Sequence, residues 1–259
     1  LAPHSLLNRY AYFTRGWVDF GAVHLDDYRL KDPQAAKNLV FPVADYYYVS
    51  AHPGLSILGI PGYLVYKMTL RTLVLSKAPK LDFFLSNLFV CFIPLVIVLA
   101  ISAIAIRAFA LRLGARPPTA VLSALAFISS SLVLLDTVSL RQTLFIGNLM
   151  LLSFILLYFW QDNKRKTKFL LLIAGFLAGY AVVSDITACI GLVLLAAYVF
   201  ASRFQTEKSW PVALRHTAIF LLGALIALSI LFIYLCVYFG NPFVKYKHCL
   251  FLVDRDLSQ

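Results

Sequence analysis

Apolar residues run almost unbroken through six stretches of the chain, 87–106, 119–135, 144–160, 169–184, 186–201 and 218–239, each closed by charges, Pro or Gly. A helix that crosses a bilayer needs about 20 mainly apolar residues. The pattern therefore predicts an all-α, polytopic transmembrane helix bundle of six spans over residues 87–240. Residues 1–86 read as an external loop with interfacial helices, and 241–259 as the start of a further external segment. Within the first segment, 6–17 has aromatic and apolar residues at helical spacing, with Tyr and Trp suited to headgroup depth. Residues 19–45 read as loop. Residues 55–75 are apolar but carry Pro61, Gly62, Lys67 and Arg71, and are expected to break at Pro61-Gly62 and to lie along the interface without crossing.

Composition sharpens this picture. Of 259 residues, 61% are hydrophobic and only 14% charged, and the mean hydropathy is +0.82. A soluble domain carries about 45–50% apolar and about 25% charged residues, so a water-soluble fold is excluded. Lys and Arg total 23 against 12 Asp and Glu, a net charge of +11. No hydrophilic domain is present to hold a nucleic-acid-binding patch, so no nucleic acid partner is expected. The basic residues instead fall in alternate loops. Arg107, Arg112, Arg116, Lys164, Arg165, Lys166, Lys168, Arg203, Lys208 and Arg215 lie on one side of the six spans, and Arg141 alone lies on the other, with Asp136 and Asp185. Lys and Arg stay cytoplasmic, which puts the ten inside and the N-terminal 86 residues outside. An outside N-terminus that starts at Leu1 without a signal-peptide pattern predicts a fragment of a longer protein. The four cysteines have no metal-binding spacing and read as small apolar residues.

Ionisable side chains within a bilayer are costly and usually functional. The six stretches are almost free of them, which argues against an ion-coupled transporter. Candidate chemistry gathers outside, at Asp19, Asp26, Asp27, Asp32 and Asp45 with His4, His24 and His52. The run from Asp45 through Tyr46, Tyr47, Tyr48 and His52 to Pro53-Gly54 sets an acid, three phenols and an imidazole just ahead of an apolar segment. A carboxylate whose pKa is tuned by its surroundings can act as general base there.

The stretch DYYYVSAHPGLSILGIPGYLVY resembles a segment of the bacterial GT-C membrane glycosyltransferases, relatives of the protein mannosyltransferases and aminoarabinose transferases. PHSLLNRYAYFTRGWVDF is similar to the helix after their first span, RAFALRLGARPP to their Arg-rich turns, and Phe239-Gly240-Asn241-Pro242-Phe243 to the exit from a span. Leu1-Ala2 stands where many members have Asp-Glu, and the lysine before Pro-Gly is missing. The resemblance implies a multi-pass protein of the bacterial plasma membrane. It would move a sugar from a polyprenyl-phosphate-linked donor to a lipid, glycan or protein acceptor, with inversion, at the non-cytoplasmic face. Asp27 and Asp45, each followed by Tyr, are the first candidates for the base, and Asp19 is the third. Arg9, His52, Tyr48 and Asp185 are candidate donor or sugar contacts. No cofactor is expected, although a divalent metal fits such chemistry. The competing reading is a non-enzymatic membrane protein, a lipid-carrier translocase or assembly subunit. The two differ in whether polar side chains converge under the external loop or along the bundle axis.

Overall fold

A computed structural model describes residues 14, 18, 40–43, 46–49, 53–69, 79–130, 142–162 and 167–239. Two strands come first, β1 (Val40–Val43) and β2 (Tyr46–Val49). Seven helices follow among the described residues: α1 (Pro53–Thr69), α2 (Pro79–Arg112), α3 (Pro117–Ser129), α4 (Gln142–Asp162), α5 (Thr167–Ser184), α6 (Cys189–Glu207) and α7 (Trp210–Phe239). A 3₁₀ turn, Ile186–Ala188, joins α5 to α6. The residues group into two compact units, 1–90 with 229–259, and 91–228.

In the first unit β1 and β2 pair antiparallel, Val40 opposite Val49 and Phe41 opposite Tyr48. Residues 19–45 are thus not loop throughout, and the chain is not wholly helical. Val and aromatic residues on either side of Ala44-Asp45 favour extended strands despite Pro42, a signal obscured by the tyrosines' fitness for a headgroup belt. Helix α1 corrects a second expectation, because it continues through Pro61 without a break. Gly59, Gly62, Tyr63 and Tyr66 recur at three- and four-residue spacing and form one buried face. At Gly59 a Cβ would lie 2.6 Å from Val90 Cγ1 and 2.7 Å from Val90 O, so α1 and α2 pack backbone to backbone. The Tyr66 ring sits 5.6 Å from Phe89, and Thr14 Oγ1 donates to Ser56 O at 3.0 Å. This packing offsets the lost hydrogen bond of an internal proline. The opposite face of α1 is also apolar, and Met68 there is 82% exposed.

The second unit is a bundle whose helix directions follow from its contacts. Phe109 of α2 meets Phe154 and Tyr158 of α4, so those two helices end together. Gly191 of α6 lies against Met150 of α4, and Tyr198 meets Gln161, so α6 runs parallel to α4. Helix α5 is antiparallel to α4: Phe145 meets Tyr180, and Ser153 Oγ donates to Ala174 O at 2.8 Å. Helix α7 is parallel to α5, with Gly175 against Phe220 and Gly179 against Ala224. The helix ends carrying Arg107, Arg112, Arg116, Lys168, Arg203, Lys208 and Arg215 therefore gather at one end of the bundle, and Asp185 turns the chain at the other.

The turns are built by their sequences. After α2, Gly114 takes φ +89°, its N–H reaching Leu111 O and the Ala115 N–H reaching Ala110 O. A left-handed glycine is what closes a helix this way. Pro117 then starts α3 behind Arg116. Lys208, at φ 49°, caps α6 with its N–H on Phe204 O.

Among the described residues four helices are long and apolar enough to cross a membrane: Leu88–Arg112, Thr143–Gln161, Ile186–Glu207 and Trp210–Cys236. They coincide with four of the six predicted stretches. The other two are shorter apolar helices, Pro117–Ser129 and Lys168–Ser184. The first ends where Ser130 donates its N–H to Phe127 O in place of a further α-helical turn. At about 1.5 Å per residue, neither equals the roughly 30 Å of a hydrocarbon core on its own. Large apolar side chains also line outward faces, including Ile97, Ile101 and Ile104 on α2, Ile190, Val193 and Leu194 on α6, and Leu222, Leu225 and Ile233 on α7. Contiguous exposed apolar surface of this extent suits lipid and not water.

Candidate functional site

Most residues singled out by sequence, namely Arg9, Asp19, Asp27, Asp45 and His52, lie outside the described residues. Tyr48 is on β2 opposite Phe41, four residues before the position of His52 and five before α1 begins.

Asp185 is fully described. It is half-buried in extended conformation (φ −156°, ψ 129°) between α5 and the 3₁₀ turn. Its Oδ1 accepts from Thr187 N and from Thr187 Oγ1, each at 2.9 Å. This is a capping arrangement, in which a carboxylate satisfies an amide that the new helical turn leaves unpaired.

Polar side chains inside the helices are held mostly by their own backbones. Asn148 Nδ2 donates to Leu144 O, Ser184 Oγ to Tyr180 O, Thr217 Oγ1 to Ala213 O and Ser123 Oγ to Thr119 O. Such back-bonding conceals a polar group within an apolar helix. Asn148 Oδ1 and Ser102 Oγ are buried without a hydrogen-bond partner among the described residues. No trio of His, Cys, Asp or Glu able to hold a metal ion occurs among them either.

A polar cluster that sequence reasoning missed occupies the basic end of the bundle. Gln161, at the end of α4, donates through Nε2 to Tyr198 OH at 2.8 Å and to Ser202 Oγ at 3.1 Å. With Ala201, Arg203, Gln205 and Thr206 these residues line a cavity of about 310 Å³. The Arg203 guanidinium lies 4.2 Å from the centre of the fully buried Trp160 ring. Its Nη1 is 3.8 Å from Glu207 Oε1. Stacking of this kind contributes about 0.5–2 kcal/mol, more than the few tenths of an exposed i,i+4 ion pair. Arg203 Nε and Trp160 Nε1 are buried without a hydrogen-bond partner. His216, whose Nδ1–H donates to Val212 O at 2.8 Å, places its ring 5.7 Å from Trp160. The available signal was the spacing Tyr198, Ser202, Thr206, one polar ridge at four-residue intervals on an otherwise apolar helix.

No protein-family model, curated protein or solved structure matches this chain.

Proposed function

We propose that this chain is a multi-pass membrane glycosyltransferase of the GT-C kind, acting on a polyprenyl-phosphate-linked sugar at the face marked by Asp185. The observation that carries the reading is the passage from a tyrosine-bearing strand into α1. Tyr46–Val49 and His52 directly precede a helix that is apolar on both its packed and its open faces. Tyr and His, with an apolar body and a polar tip, suit headgroup depth, where a lipid-linked phosphate is held while its chain stays in the bilayer. Within the bundle the basic residues gather at the end away from Asp185, which supports an outward-facing Asp185 end.

In the proposed step, Asp27 or Asp45 takes the proton of an acceptor hydroxyl. The acceptor oxygen bonds to the anomeric carbon as the bond from that carbon to the phosphate oxygen breaks. Polyprenyl phosphate leaves with the electron pair, its charge met by Arg9 or protonated His52.

The test is Asp27→Asn and Asp45→Asn in the membrane-embedded protein, assayed for sugar transfer from a polyprenyl-phosphate donor. Loss of a true base lowers the rate by about 10²–10⁴ while the protein stays folded. Full turnover in both variants removes these acids from the mechanism.

A further inference from the structure

The cavity at the basic end lies at the opposite end of the bundle from Asp185, and nothing in the transfer reaction uses it. Its chemistry is lopsided. A hydroxyl has one hydrogen to donate and two positions to accept. Gln161 Nε2 already donates to the oxygens of both Tyr198 and Ser202. Each hydroxyl is left with its own O–H to give, and the Gln161 amide cannot take it through that nitrogen. Beside them the Arg203 guanidinium brings five N–H donors and no acceptor. Among the described residues its ion-pair contact, to Glu207, is long at 3.8 Å. The amides of Gln161 and Gln205 also bring acceptor oxygens to the lining, but the hydroxyl and guanidinium donors add positive charge, the recognition set for a phosphate.

Two further features bear on it. Arg203 is fixed against Trp160, so its planar group is oriented before any ligand arrives. Trp210, itself exposed, packs on Phe200 and Phe204 at this same end of α6, giving an aromatic cluster of the type that sits at the membrane–water boundary. The carbonyl ends of α4 and α6 and the Glu207 carboxylate oppose an anion. Glu207 does not line the cavity, whereas Arg203, Tyr198 and Ser202 do.

From this geometry we infer that the Gln161–Tyr198–Ser202–Arg203 cavity binds a phosphate group, supplied by the headgroup of an anionic phospholipid. Basic pockets between membrane helices at headgroup depth are suited to that ligand. The inference is independent of glycosyl transfer and survives or fails separately from it.

The experiment equilibrates the full chain with vesicles of equal phosphatidylglycerol and phosphatidylcholine, extracts it in detergent, and counts retained lipid by mass spectrometry. The unmodified chain and Arg215→Gln, an exposed charge outside the cavity, retain phosphatidylglycerol in preference. Gln161→Glu gives both hydroxyls an acceptor and repels phosphate, and Arg203→Gln removes the charge. Each lowers the retained ratio by about tenfold, as expected for loss of one charge-assisted contact. Tyr198→Phe leaves Arg203 stacked on Trp160, so it and Gln161→Glu read the site even where Arg203→Gln fails to fold. A parallel arm adds inorganic phosphate to lipid-free protein. A rise in melting temperature in the unmodified chain but not in Gln161→Glu, without any phosphatidylglycerol preference, supports phosphate recognition and assigns the source to a free anion. Equal lipid ratios in the unmodified chain, Gln161→Glu and Tyr198→Phe, with no response to inorganic phosphate, overturn the proposal.

Discussion

Gly175 of α5 meets the main chain of Phe220 in α7 so closely that a Cβ at position 175 would overlap the Phe220 carbonyl oxygen. One turn on, a Cβ at Gly179 would stand 2.6 Å from Ala224 O, and from the other side Gly223 meets Leu172 O just as tightly. Within lipid there is no hydrophobic drive between helices, so association rests on such close backbone approach through small residues. Ala174, Ala178, Ala181, Ala224 and Ala227 are buried with them.

Substitution at this contact is therefore expected to be severe. Gly175→Leu and Gly179→Leu should each lower stability by at least about 1–3 kcal/mol, the range for overpacking a close-packed interior. Gly147→Ala serves as the control, since no described residue lies within 4 Å of its added methyl. Thermal melts in detergent, followed by the fraction remaining monodisperse, measure the difference. Equal melting for Gly175→Leu and Gly147→Ala would contradict the packing.

Orientation is checked by single cysteines in a cysteine-free background. In intact cells an impermeant thiol reagent should label Asp32→Cys and leave Arg165→Cys untouched until the membrane is permeabilised. The ten-to-one distribution of basic residues between alternate loops is the motive. The reverse pattern would place the basic end outside and remove the proposed active face with it.

Helix α1 is 17 residues long, about 25 Å at 1.5 Å per residue and short of a full crossing. Leu58→Cys and Met68→Cys, both at exposed positions, should then react from the same side of the membrane. Reaction from opposite sides would make α1 a crossing segment and invert every later loop.

For Asp185 the expected result separates a cap from a sugar contact. Asp185→Ala should cost about 0.5–2 kcal/mol, the usual loss of an N-cap, and Asp185→Asn only a fraction of that, because an amide oxygen still accepts from Thr187. Transfer rate should be unchanged in Asp185→Asn if Asp185 only caps. A rate loss in that variant at intact stability would assign it a role at the sugar.

Much of the architecture was legible because each feature depends on residues close in sequence. The long apolar stretches name four membrane-length helices, Gly114 with Pro117 marks the α2–α3 turn, and the alternation of basic loops agrees with the helix directions found. Pro61 misled because local propensity forecasts a break there, whereas packing of Gly59 and Tyr66 against α2 keeps α1 continuous. The hairpin at Val40–Val49 was overlooked because its tyrosines also suit a headgroup belt.

Sequence alone determined the medium: the balance of apolar and charged residues leaves lipid as the only fitting surroundings for these helices, since that balance is a sum over residues and needs no coordinates. Tertiary structure decided which faces meet. The G-F-L-A-G spacing of Gly175 and Gly179 does not say that α7 is its partner. Nor does the ridge of Tyr198, Ser202 and Thr206 disclose that Gln161, some forty positions earlier, donates to two of its hydroxyls. Contacts between distant segments arise from helices folding back on one another, and the pairing that results is set by the closest fit of whole surfaces, which no local pattern encodes.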